Sequence, residues 1–230
     1  VAFPQARHPF LFYWWFEWTL PSVFKKQKAD FFMSPDGFLS LSSNIPTLLV
    51  IHDIAWKHFP THIPNIHRKH YEYFMPRFAE KATHLATVSK YSKKDIAENL
   101  NISPDKIDVV YDGANEAFVP LNEEEKISVK AKYSGGTPFF LYLGSVHPRK
   151  NAVRLLQAFE KFKASSGSPL KLLFAGRVAW QSGEVGEELQ KMKFKEDVIF
   201  LGYTAAEDLP KIVASAFALT YVSLFEGFGI

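Results

Sequence analysis

Short apolar runs alternate with amphipathic segments along the whole chain. Runs of strand length stand at residues 29–33, 47–52, 84–89, 107–111, 139–144, 171–176, 198–201 and 217–222. Their near-continuous apolar character suits strands buried on both faces. The segments between them carry helical periodicity, clearest over 151–162, where Leu155, Leu156, Phe159 and Phe162 fall on one face. Residues 68–82, 92–100, 186–193 and 206–214 are the other helical patterns. Ser92-x-x-Asp95 has the spacing of a capping box, with Asp in place of Glu. Alternation of this kind predicts an α/β protein with parallel sheets covered by helices.

The alternation breaks once, between Asn115 and Thr137. That interval holds Pro120, the acidic run Asn122-Glu123-Glu124-Glu125 and the turn signal Ser134-Gly135-Gly136. It is expected to be a linker over 116–137, between domains spanning 1–115 and 138–230. Two doubly wound domains would then face each other, with ligands at the carboxyl ends of their strands. The densest apolar stretch, residues 9–20, is too short to span a bilayer and contains Glu17. A buried helix face is the plainer reading of it; a membrane-surface role for Trp14, Trp15 and Trp18 stays open beside that. The chain opens on Val1, and its last residues, Glu226-Gly227-Phe228-Gly229-Ile230, read as a strand-to-glycine turn with no helix after it. The sequence therefore reads as a fragment cut at both ends.

A hydrophobic content of 47% with 22% charged residues describes an ordinary globular protein. The absence of cysteine excludes disulfides and thiolate metal sites and fits a reducing compartment. A scattered net charge of +3 gives no reason to expect nucleic acid, whereas an anionic small ligand or an acidic membrane surface is compatible with it.

The strongest candidate site follows the run at 139–143. Gly144-Ser145-Val146-His147-Pro148-Arg149-Lys150-Asn151 leads directly into a helix, with Asn151 placed to cap it. Two cations at a helix N-terminus oppose the macrodipole unless an anion sits there. Backbone N–H groups, Arg149 and Lys150 together suit a phosphate or diphosphate, against the plain alternative of a solvated basic turn. Gly176-Arg177 ends the next strand, placing Arg177 on the same rim, and Glu226 is expected to reach that rim from a further strand. Earlier in the chain the run at 47–51 ends in His52-Asp53, which is as consistent with a packed or capping pair as with chemistry. His58, His62, His67 and His70 cluster, but Pro60 and Pro64 forbid the helix that would align His58 with His62, so no metal is expected. No G-x-G-x-x-G follows a strand, and there is no Walker A motif, no G-x-S-x-G and no Asp-x-Asp pair. The basic turn would therefore hold a diphosphate without a metal.

These pieces together resemble the family 4 retaining glycosyltransferases of the GT-B fold. LYLGSVHPRKNAVRLLQAF (141–159), LLFAGRVAW (172–180), VIFLGYTAAEDLPKIVASA (198–216) and SLFEGFG (223–229) are similar to family blocks, the last to the start of an E-x7-E motif. IHDIAWKHFP (51–60), ATVSKYSKKDI (86–96) and VVYDGAN (109–115) match further blocks in the expected order.

The resemblance implies two Rossmann-like domains facing across a cleft, both incomplete here: an acceptor-side domain over 1–115 and a nucleotide-sugar-binding domain over 138–230. It implies that Lys150, supported by Arg149, neutralises the donor diphosphate, and that Glu226 contacts donor-sugar hydroxyls. The backbone of Gly227, Phe228 and Gly229 would hold sugar and phosphate, His52 and Asp53 would lie near the reacting sugar, and Tyr203 near the base. Gly144, Ser145 and Arg177 complete the implied donor site; Ser145 stands where many relatives carry Arg. The expected reaction is transfer of a sugar, with a lean to mannose, from a GDP- or UDP-sugar to a glycan or lipid-linked acceptor, without a cofactor. The expected location is cytoplasmic, peripheral on the inner face of the membrane. A GT-B epimerase or phosphorylase, or a non-catalytic nucleotide-sugar-binding protein, remains the alternative, and the fragment by itself is expected to be inactive.

Overall fold

The computed structural model describes residues 9–176 and 183–229. The chain forms two compact units, one of residues 1–113 with 226–230 and one of residues 114–225.

The first unit begins with α1 (Pro9–Trp14), a π-helical turn (Trp15–Thr19) and α2 (Leu20–Gln27). Its sheet has four parallel strands in the order β1 (Phe32–Ser34), β2 (Thr47–Val50), β3 (His84–Thr87) and β4 (Ile107–Val109). Between them lie α3 (Ala55–His58), α4 (Asn65–Lys81) and α5 (Lys90–Leu100). Leu49, Ile51 and Leu85 from the sheet region pack against Phe78 of α4 and Ile96 of α5.

The N-terminal helical stretch corrects the buried-face reading of the tryptophans. Trp14 and Trp18 are each about half exposed and lie 4.9 Å apart, ring to ring. The inward side instead carries Glu17 and Leu20, with Phe12 and Phe16 packed against Phe38. The Glu17 carboxylate accepts from the N–H groups of Leu41 (2.8 Å) and Ser42 (2.9 Å), and that pair of bonds selects which face turns inward. Among the described residues no helix is long and apolar enough to cross a membrane.

The second unit opens with α6 (Glu123–Ser134), inside the interval expected to be a linker. Asn122 and Glu125 form a reciprocal capping box, and Gly135, at φ 65°, ends the helix. The acidic run is therefore a dipole-matched first turn, while Val129 and Tyr133 turn towards the core. The parallel sheet follows: β5 (Phe139–Leu143), β6 (Lys171–Ala175), β7 (Val198–Gly202) and β8 (Ala218–Leu219), in the order β7-β6-β5-β8. Its helices are α7 (Ala152–Ser166), α8 (Glu184–Lys191) and α9 (Leu209–Ser215).

Alternation along β5 builds two cores. Phe139 and Leu141 join Val129 of α6 and Ile212 of α9, whereas Tyr142 joins Leu156 and Phe159 of α7 and Leu189 of α8. Helices thus cover this sheet on both faces, as its apolar strands require.

Candidate functional site

In the second unit, three neighbouring strands end in glycine. Gly144 follows β5, Gly176 follows β6 and Gly202 closes β7, with φ of 134°, 140° and 68°. Gly144 N–H donates to the Ala175 carbonyl and Gly176 N–H to the Gly202 carbonyl, each at 2.9 Å. A Cβ at position 176 would lie 2.2 Å from the Gly144 oxygen, so only glycine permits this approach of backbones. The carboxyl edge of the sheet is thereby a ledge of bare backbone.

From that ledge Ser145 and its neighbours rise as a hydrogen-bonded turn. The Tyr142 hydroxyl donates to the Ser145 carbonyl at 3.0 Å, and His147 Nδ1 accepts from the Arg149 N–H at 3.3 Å. Pro148–Lys150 form one 3-10 turn, and Asn151 adopts φ 60° before α7 begins.

Asn151 does not cap α7 with its side chain, in contrast to the sequence expectation; its Nδ2 donates to the Val222 carbonyl at 3.0 Å. The left-handed backbone points the amide away from the helix and towards the segment after β8. Three more bonds join the same two stretches. Leu224 N–H donates to the Arg149 carbonyl (2.8 Å), the Arg149 guanidinium to the Phe225 carbonyl, and Lys150 Nζ to the Tyr221 hydroxyl (3.1 Å). The basic turn is thus braced on residues 221–225, which no local motif announces. Tyr203 lies just past β7 and is 89% exposed; Arg177 falls outside the described residues.

In the first unit, His52 and Asp53 follow β2. His52 Nε2 lies 2.9 Å from the Pro35 carbonyl, which can only accept, so Nε2 carries a proton and Nδ1 is the acceptor of the neutral ring. Asp53 Oδ1 accepts from the N–H of Ala55, the first residue of α3, at 2.9 Å. Residues 226–229, read from the sequence as part of the second domain, group with this unit. The Gly227 carbonyl accepts from Ser89 Oγ (2.6 Å) and Ser92 Oγ (3.0 Å). A Cβ on Gly227 would lie 2.6 Å from the His52 carbonyl oxygen and 3.1 Å from Asp53 Cβ. The Phe228 ring is 5.9 Å from that of Tyr111, and Gly229 turns at φ 87°. Glu226 therefore enters the stretch that seats on His52-Asp53.

Ser92 and Asp95 do not form a capping box. Ser89 is the N-cap of α5 and accepts from the Ser92 N–H, because β3 delivers it in extended geometry just before the first helical residue. Asp95 instead receives His58 Nε2 at 2.8 Å and Asn99 Nδ2 at 2.9 Å. Among the described residues, no group of three or more His, Cys, Asp or Glu is placed to hold a metal.

The fold is GT-B, carried here as two partial Rossmann-like units. Residues 1–118 match Glycosyltransferase Family 4 and residues 123–230 match Glycosyl transferases group 1. The chain belongs to glycosyltransferase family 4. It is 27% identical over 180 residues to the O-antigen chain mannosyltransferase B of Escherichia coli, covering 78% of this chain and 47% of that protein. With the O-antigen chain mannosyltransferase RfbU of Salmonella typhimurium it shares 27% over 184 residues, covering 79% and 47%. The chain thus spans about half the length of the curated relatives it matches. A glycosyltransferase from Rickettsia africae superposes with a TM-score of 0.66 at 20% identity, covering 96% of this chain and 58% of that one. Anabaena HepE in complex with UDP and glucose gives 0.70 at 16%, covering 89% and 55%.

Proposed function

We propose that the chain is part of a retaining glycosyltransferase that moves a hexose, mannose in the first instance, from a nucleotide-diphosphate sugar to a glycan or lipid-linked acceptor. The observation that carries this reading is the bare glycine ledge at Gly144, Gly176 and Gly202 opening onto the Arg149-Lys150 turn. Bare backbone lets a diphosphate approach closely, and α7 starts immediately after the turn. Lys150 would meet the charge that develops on the departing diphosphate, each charge-assisted hydrogen bond contributing about 1.5–3 kcal/mol. Arg149 would support Lys150 from the same turn, held in place by its bond to the Phe225 carbonyl. Because these cations do the neutralising, the step needs no metal.

The bond from the anomeric carbon to the diphosphate oxygen breaks while one to the acceptor oxygen forms on the same face. The acceptor proton passes to the leaving diphosphate. Glu226 would orient donor-sugar hydroxyls, the N–H groups of 227–229 would hold sugar and phosphate, and His52 Nδ1 would face the reacting sugar. Mannose is supported by the O-antigen mannosyltransferase relatives and a nucleotide donor by the UDP-bound neighbour. In the full-length protein, Lys150→Ala should lower kcat/KM at least tenfold, with activity insensitive to EDTA and the product anomer matching the donor. Unchanged turnover and donor affinity would overturn the assignment. Release of free sugar nucleotide isomers without acceptor would point to an epimerase instead.

The acceptor side of the reading extends to an anionic bilayer at the inner, cytoplasmic face. Exposed Trp14 and Trp18 are followed by exposed Lys25 and Lys26 on the same helical stretch and by exposed Lys28 just past its end, and each lysine near an anionic surface contributes about 1 kcal/mol. Co-sedimentation with phosphatidylglycerol vesicles, weakened by salt and by Trp14→Ala/Trp18→Ala, tests this; equal recovery with neutral vesicles refutes it.

A further inference from the structure

We propose that Ser89 and Ser92 are positioning residues: their two hydroxyls latch the Gly227 carbonyl and so set Glu226 and the glycine turn against His52. The inference rests on the donor-binding role given above to residues 226–229.

Ser89 does two jobs with one hydroxyl. Its oxygen accepts from the Ser92 N–H at 3.0 Å, capping α5, and of the two acceptors within reach of its one proton the Gly227 oxygen, 2.6 Å away, is nearer than Ser92 Oγ at 3.1 Å. Ser92 is 1% exposed, and its hydroxyl reaches the same oxygen at 3.0 Å. A carbonyl oxygen has two lone pairs, and the two serine protons fill both. The amino end of α5 adds its positive dipole behind them. From the other side, the His52 carbonyl and Asp53 Cβ leave no room for a side chain at position 227. Hydrogen bonds on one side and a steric floor on the other leave the Gly227 peptide a single orientation. The direction in which the next N–H groups point, and where Glu226 leaves the backbone, follow from that orientation.

A helix cap alone would not need a donor. Aspartate at position 89 can still accept from the Ser92 N–H but cannot donate to Gly227, whereas threonine keeps both functions. In the full-length protein, Ser89→Asp should therefore melt within a few degrees of wild type yet lose about tenfold or more in kcat/KM. Ser89→Thr should keep both properties. Ser92→Ala should raise the donor KM about fivefold or more, and the double variant Ser89→Asp/Ser92→Ala should lose more than either. Amide hydrogen exchange at residues 227–229 supplies a readout independent of turnover and should accelerate in Ser89→Asp but not in Ser89→Thr. Wild-type exchange and kinetics in Ser89→Asp and Ser92→Ala would overturn the latch. A wild-type protein that transfers no sugar but shows the exchange difference would keep the latch and sink the donor reading.

Discussion

At Gly176 a single hydrogen atom decides whether the carboxyl edge of the second sheet can form. With φ at 140° and the Gly144 oxygen 2.2 Å from any Cβ, alanine is strained in its own backbone and blocked by its neighbour's. Gly176→Ala should destabilise the second unit by at least ~1–3 kcal/mol. It should also weaken binding of UDP or GDP measured by calorimetry, because the ledge and the turn at Ser145 move together. His70 is a second residue whose surroundings set a measurable property. Its ring sits 4.6 Å from Phe74, and burial, followed by the nearby His67, holds its pKa below the ordinary 6.5. The folded state therefore favours the neutral ring. Its stabilising effect is complete above about pH 6.5 and is lost as pH falls through the depressed folded value. Melting curves between pH 7 and 5 should fall less steeply for His70→Phe than for wild type.

Among the elements, helix α6 shows how charge conceals structure. Asn122 and Glu125 cap each other, so Asn122→Ala should destabilise the second unit by about 0.5–2 kcal/mol, read from urea melts. The same acidic run reads as a linker in the sequence because three consecutive glutamates outweigh the sparse apolar positions Leu121, Val129 and Tyr133. The strands were legible because burial on both faces demands unbroken apolar runs; their ends moved, β1 running on to Ser34 and β7 to Gly202, while β8 pairs over two residues only. The basic turn was legible too, since its residues are consecutive. Its brace on 221–225 was not, and neither was the grip of Ser89 on Gly227, a contact across 138 residues of chain. Periodicity reports the nearest turn, and long-range partners leave no local trace. The tryptophan helix misled for a different reason: a buried Glu17 displaced the aromatic rings from the inward face.

At the scale of the molecule, each buried cluster among the described residues draws on one unit alone. Phe139, fully buried between α6 and α9, belongs to the second unit's core. Phe139→Ala should remove about 3–5 kcal/mol there. Hydrogen exchange should show faster opening of β5 and β6 while the amides of β2 and β3 keep their protection; equal acceleration in both would show a shared core.

The first unit is assembled from both ends of a long excursion, residues 1–113 and 226–230. On the ribosome, Ser89 and Ser92 emerge well before Gly227, with residues 114–225 still to be made. At roughly 10 residues per second that interval lasts on the order of ten seconds. Closing a flexible loop of 138 residues would cost about 4 kcal/mol, more than two hydroxyl hydrogen bonds return. The excursion must therefore gain structure of its own before the latch can hold. Maturation has a built-in order, in which the stretch bearing Glu226 settles only after residues 114–225 have taken up structure.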